Sequence, residues 1–335
     1  MKPIDKQKLY YVYIITFILI WFMVMLGGAT RLTHSGLSIV EWRPITGIIP
    51  PLNIEDWALE FKKYQTSPEF LKINIHMQLE EFKFIYLMEY CHRLLGRLLG
   101  LFFMIPLFFM WKKMNTFFKK QSLLILCLGI LQGFMGWYMV KSGLINEPYV
   151  SPFRLMIHLS LAFVLMGLLV KGILRLKETP TYQIQNTQFL NITATFITVA
   201  ILYGALVAGH KAGLIYNTFP LMEGRFIPFE FLYFKPFWKN FYKNHATIQW
   251  MHRTIALLAF VHVFIFYLKN KSMPTFIWFL LITLQIMLGV LTLIYQVPVF
   301  LGTIHQGVGA LLFSWTIVIL TIYKKDSVLM NIKQD

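Results

Sequence analysis

Four histidines, His92, His158, His252 and His305, sit inside long apolar stretches of the sequence, each near one end of its stretch. An ionisable side chain inside a membrane is costly, turns to the bundle interior and is a functional candidate by default. Imidazole is a strong ligand for iron, copper and zinc. A bare metal centre would bring carboxylate, thiolate or a third histidine to each pair, as in the Glu and Glu-x-x-His pattern of di-iron bundles. Two histidines from facing helices instead suit the two axial positions of one haem. Any one of the four would serve equally as a helix-to-helix hydrogen bond, whereas four at one level favour ligands. Glu89 stands one helical turn before His92, in Glu89-Tyr90-Cys91-His92-Arg93. The corresponding segment is Gln249-Trp250-Met251-His252-Arg253, with a neutral residue in its place. A carboxylate on the histidine's helix face can act on protons or stabilise positive charge beside a porphyrin, with a surface ion pair to an arginine as the alternative. The difference predicts chemistry in the N-terminal half and electron storage or relay in the C-terminal half.

The elements that position these groups are membrane helices. Of 335 residues, 57% are hydrophobic and 14% charged, against roughly 25% charged in soluble domains. Apolar runs long enough to span fall at about 9–29, 84–110, 121–141, 153–174, 190–209, 248–268, 274–295 and 300–323. The net charge of +16 comes from short lysine clusters between these runs, which suits lipid headgroups rather than nucleic acid. Lys2, Lys6 and Lys8, then Lys112, Lys113, Lys119 and Lys120, then Lys171, Arg175 and Lys177, then Lys269 and Lys271, and finally Lys324 and Lys325 all fall on one side of eight spans. The short connections on the other side hold only Arg154 at an edge, so both termini are expected in the cytoplasm. Two long loops, 30–83 and 210–247, are then outside, rich in Trp, Pro and Phe that would lie at the membrane surface. At 1.5 Å rise per residue, the four histidines are expected roughly 6 to 12 Å below that outer surface. Cys91 and Cys127 lie in apolar runs without CxxC spacing, which argues against a disulfide framework or zinc site.

The halves match in order. Gly28-Ala29 precedes His34 as Gly204-Ala205 precedes His210; His92-Arg93 matches His252-Arg253; Gln132 and Gly136 match Gln285 and Gly289; His158 matches His305. With four spans in each half, the expected fold is all-α and integral to the membrane: eight transmembrane helices as two parallel-repeat four-helix bundles, residues 1–180 and 181–335. Small residues would let a flat macrocycle enter, or simply let helices pack: Gly96 and Gly100, Gly129, Gly133 and Gly136, and Gly302, Gly307 and Gly309. Arg93, Arg97 and Arg253 are candidates for haem propionates, or for snorkelling to the surface. His34 and His210, at the mouths of the first and fifth spans, read as interface residues before access ligands.

Several longer runs then resemble the haem A synthases. They are Gly27-Gly28-Ala29-Thr30-Arg31-Leu32-Thr33-His34-Ser35-Gly36-Leu37-Ser38, Glu41-Trp42 with Pro44-Ile45-Thr46-Gly47, Glu81-Phe82-Lys83, Glu89 with His92-Arg93, Gln132-Gly133 with Gly136-Trp137-Met139-Val140-Lys141-Ser142-Gly143-Leu144, and His305-Gln306. The resemblance covers nearly the whole chain. It implies an oxidoreductase that converts haem O to haem A, taking the C8 methyl to a formyl by two hydroxylations and loss of water. It implies haem b as cofactor on His252 and His305, substrate haem on His92 and His158, and a catalytic Glu89. The cysteine pair that one branch carries in the first outer loop is absent, so the chain looks like the mitochondrial and proteobacterial branch. The expected location is a bacterial inner membrane, crossed several times. A haem O synthase is the partner the resemblance suggests for handing over substrate. The electron acceptor or donor and the oxygen source stay open. Two other classes remain, a b-type cytochrome that leaves its haem unmodified, and a haem transporter.

Overall fold

The computed structural model describes residues 1–44, 46–184 and 187–325. Ile45 of the first-loop run, and the final 326–335 of the C-terminal half, lie outside the described residues. The helices are α1 (Pro3–Leu32), α2 (Ile54–Tyr64), α3 (Pro68–Lys72), α4 (Leu79–Met110), α5 (Thr116–Gly143), α6 (Pro152–Lys177), α7 (Gln188–Gly209), α8 (Asn240–Lys243), α9 (His245–Lys269), α10 (Met273–Ile294) and α11 (Val299–Ile322). Eight of them, all but α2, α3 and α8, are long and apolar enough to cross a membrane. The chain is an all-α integral membrane protein. Its described strands are β1 (Tyr182–Ile184) and β2 (Tyr323–Lys325), which pair in parallel and tie the α6–α7 connection to the end of α11.

Each of the eight matches an apolar run, but most reach further than the apolar residues do. Helix ends are set by caps as well as by lipid. Gln78 and Glu81 form a reciprocal capping box at the start of α4. The Asn115 side chain accepts from Phe118 N–H at 3.1 Å ahead of α5, and Asn244 from Thr247 N–H at 3.1 Å ahead of α9. Proline opens α1 and α6, where its missing N–H costs nothing.

In the first half α1 packs on α4 and α6, and α5 on α6; in the second, α7 packs on α9 and α11, and α10 on α11. The boundary between halves is made by α1 against α11, α6 against α7, and α6 against α11. One apolar core gathers Leu9, Tyr13, Leu107 and Leu169; a second gathers Ile197, Val263, Trp278 and Ile319. Large apolar side chains such as Phe108, Ile130 and Phe300 point outward, at 78%, 75% and 72% exposure, as lipid-facing residues do.

The first long connection is ordered. Tyr64 of α2 stacks on Phe82 of α4 with ring centroids 5.2 Å apart, and Phe70 of α3 meets Tyr64 at 5.7 Å. The opening turns of α4 thus belong to an aromatic core that the loop builds on the helix end.

Candidate functional site: two histidine pairs

His158, His252 and His305 lie within two turns of the starts of α6, α9 and α11, whereas His92 lies between three and four turns into α4. His92 thus lies further along its helix than the other three. The aromatic core just described extends α4 beyond its apolar part.

Each ring is seated on a glycine of a neighbouring helix. A Cβ placed on Gly27 would come 3.0 Å from Cε1 of His92; on Gly136, 3.1 Å from His158; on Gly204, 3.0 Å from His252; on Gly289, 3.0 Å from His305. In both halves the first helix thus seats the second helix's histidine, and the third helix seats the fourth's. His92 and His158 are electrostatic neighbours, and so are His252 and His305. The glutamines match too: Gln132 Nε2 is 3.4 Å from His158 Nε2, and Gln285 Nε2 is 3.4 Å from His305 Nε2.

The seating corrects one sequence pairing. Gly204 corresponds to Gly27, while Gly28 points to Gln306, whose Oε1 would be 2.9 Å from an added Cβ. The loop backbone agrees: His34 and Lys211 both take φ 54°. His210 therefore corresponds to Thr33 and not to His34. One residue along a helix turns the side chain by about 100°, enough to change its neighbour. His210 itself meets the Tyr242 carbonyl at 2.9 Å and the ring of His245 at 5.1 Å. Burial, with Lys211 and Arg31 nearby, holds the His34 imidazole below its usual range.

Glu89 is 3% exposed and fully engaged. Its Oε2 accepts from Ser38 Oγ at 2.7 Å and from Ile39 N–H at 2.9 Å; its Oε1 accepts from Arg93 Nη2 at 2.6 Å and Nε at 3.0 Å. The ion pair with Arg93 is therefore real, and it also staples the first long connection to α4. Ser38 and Ile39 are contributors that sequence reasoning missed, because nothing in their type marks them. The arginines proposed for propionates hold loop carbonyls: Arg93 those of Ile39 and Glu41, Arg97 those of Arg43 and Pro44, Arg253 those of Tyr216 and Thr218. Of the glycines, Gly302 packs on Leu32, Gly307 on Met25 and Gly309 on Gln285, while a Cβ at Gly100, Gly129 or Gly133 would meet nothing within 4 Å.

A family model described as cytochrome oxidase assembly protein, COX15-CtaA, matches residues 10–317. Relatives named haem A synthase include those of Wolbachia pipientis wMel, 41% identical over 92% of this chain and 91% of its own length, and of Nitrosospira multiformis, 44% identical over 88% of each. The Ehrlichia canis relative of that name is 43% identical over 87% of this chain and 86% of its own. The chain belongs to the haem A synthase family. For this family member, the residues fit a haem. Among the described residues no three His, Cys, Asp or Glu converge as a metal cluster would require, which leaves pairs of imidazoles. His92, His158 and His305 each keep a buried Nδ1 with no hydrogen-bond partner. His252 differs: its Nδ1 lies 2.9 Å from the Ala200 carbonyl, which accepts the N–H and leaves Nε2 as the nitrogen with a free lone pair.

Proposed function

We propose that this protein is a haem A synthase, an enzyme that oxidises the C8 methyl of haem O to a formyl by two successive hydroxylations and loss of water. In this reading His252 and His305 hold a resident haem b, and His92 and His158 hold the substrate haem. The observation that carries it is the repeated seat of four imidazoles on four glycines, with a buried carboxylate beside one pair alone. Haem b, when bound, supplies one-electron storage to the C-terminal half.

The residues support this division of labour. The Nδ1–H bond from His252 to Ala200 fixes one tautomer and ring orientation, which suits a residue that ligates through Nε2. His92, His158 and His305 have no such bond, so the fixed tautomer belongs to His252 alone, in the C-terminal pair. Glu89 places negative charge one turn from His92, in a pocket of donors that holds its direction. All four of its acceptor positions are taken, so its direct role is to stabilise positive charge developing at the substrate's methyl carbon. Accepting a proton would require Ser38 or Ile39 to let go.

The test is haem extraction with mass analysis after expressing wild type and Glu89→Gln beside a haem O synthase. Haem A in the wild type, with haem O or a hydroxylated intermediate in the variant, is the expected result. Haem B alone in the wild type, with haem O present in the membrane, would overturn the assignment in favour of an electron-carrying cytochrome.

A further inference from the structure

A polar side chain next to one histidine bonds across the boundary between halves, beside the seat of another. Gln306 directly follows His305 on α11. Its Nε2 donates to the Val24 carbonyl of α1 at 2.7 Å, and its Oε1 would be 2.9 Å from a Cβ on Gly28. The residue before Gly28 is Gly27, the seat of His92. Gly307, next on α11, accepts from Trp21 Nε1 of α1 at 2.8 Å. Consecutive residues of α11 therefore hold His305 in one half and grip α1 in the other.

Among the described residues, the α6–α7 side of the boundary has no such amide. By the repeat, Gln306 corresponds to Leu159 after His158, and Val24 corresponds to Ile201; both Leu159 and Ile201 are partly buried apolar residues packed on the first core. A half-buried primary amide such as Gln306 costs free energy in a membrane unless bonded, and apolar packing at Leu159 and Ile201 shows that the boundary closes without one. The amide therefore does something other than close the boundary. A hydrogen bond is directional where apolar packing is not, and this one fixes the rotation and height of α11 against α1.

We propose that Gln306 is a positioning residue that couples the two histidine centres, setting the helix that carries His305 against the helix face that seats His92. This rests on the reading that both centres hold haem. Its consequence is that a change at Gln306 is felt in the other half, at the haem held by His92 and His158.

The experiment uses the full chain, purified in detergent from cells that also make haem O. Wild type, Gln306→Leu, Gly28→Ala and the double variant are compared by haem content, reduced-minus-oxidised optical spectra and electron paramagnetic resonance of each haem. Gln306→Leu installs the residue found at the counterpart position, and Gly28→Ala pushes on the same amide from the α1 side. The expected result is retention of haem b with an altered signature, or loss, of the N-terminal haem in both single variants, and a fall of about tenfold in haem A per protein, the size typical of losing an outer partner of a metal ligand. The double variant should be no worse than either single one, because both act through one contact. Two haems with wild-type signatures in both single variants, or effects confined to the haem on His252 and His305, would overturn the coupling. A wild type that loads no haem in one half would instead fail the site reading itself.

Discussion

A methyl group added at Gly136 would stand 3.1 Å from His158 Cε1, and one at Gly289 3.0 Å from His305 Cε1. Both are tighter than most real Cβ contacts, so the ring must give by a few tenths of an ångström, and a metal ligand tolerates little of that. The two substitutions should therefore separate the halves. Gly289→Ala is expected to lower retention of haem b about tenfold with the N-terminal haem kept, and Gly136→Ala to do the converse. Extracted haems counted by mass would show it, and two variants with wild-type content of both haems would sink the idea that the glycines seat ligands. Much at this scale was legible beforehand. The four histidines, Glu89, Gly136 and Gly289 stand out by type and by order along the repeat. Gly27 did not, because the sequence pairing anchored on His34 and His210 is one residue out of register, and a helix punishes one residue with a turn of about 100°. The partners of Arg93, Arg97 and Arg253 were hidden for a different reason. They are loop carbonyls, present in every residue and selected only by the path of the loop.

Elements longer than their apolar runs expose the limit of hydropathy as a guide. The eight spans were legible because lipid demands about 20 apolar residues in succession. The polar first turns of α1 and α4 are helical through Pro3 and the Gln78–Glu81 box, which no hydropathy window registers. Also unforeseen were the bounds of α2 and α3, whose cover over α4 buries Glu69 to 3% exposure with the Tyr64 hydroxyl as donor at 3.1 Å. Burial pushes this carboxyl up to about 7; Tyr64 and Lys211 oppose the rise and the Glu89 carboxylate adds to it. A folded-state value above the ordinary one means that the folded chain holds the proton where the unfolded chain has lost it. Stability therefore falls as pH climbs from about 4.5 to about 7 and levels off above. Glu69→Gln, which keeps the shape without the charge, should stabilise this loop by about 2 kcal/mol more at pH 8 than at pH 4.5. Hydrogen exchange across residues 54–74 at the two pH values measures it, and a pH-independent effect would show that Glu69 is not ionising in place.

At the scale of the whole molecule, the two ends of the bundle differ in charge as well as in loop length. The long connections, with α2, α3 and α8, cap the end at which the histidines lie within reach of the helix starts. The short-connection clusters of lysine and arginine gather at the other: Lys112 and Lys113 after α4, Lys119 and Lys120 at the head of α5, Arg175 and Lys177 closing α6, Lys269 closing α9 and Lys271 ahead of α10. Each such residue near an anionic leaflet is worth about 1 kcal/mol, and over short connections, where the charge bias sets orientation, these clusters outweigh Lys141 and Arg154, which flank the α5–α6 connection at the opposite end. The clustered end should therefore face the cytoplasm, and both haem sites should open toward the far side of the membrane, where the long connections cover them. Cys91 and Cys127 are free and exposed, so they are first replaced by serine and single cysteines are then placed at Asn146 and at Asn115. An impermeant maleimide applied to intact spheroplasts should label Asn146→Cys, and should reach Asn115→Cys only after lysis. Labelling in the reverse order would put the histidine sites on the cytoplasmic side, and haem O would then have to arrive from there.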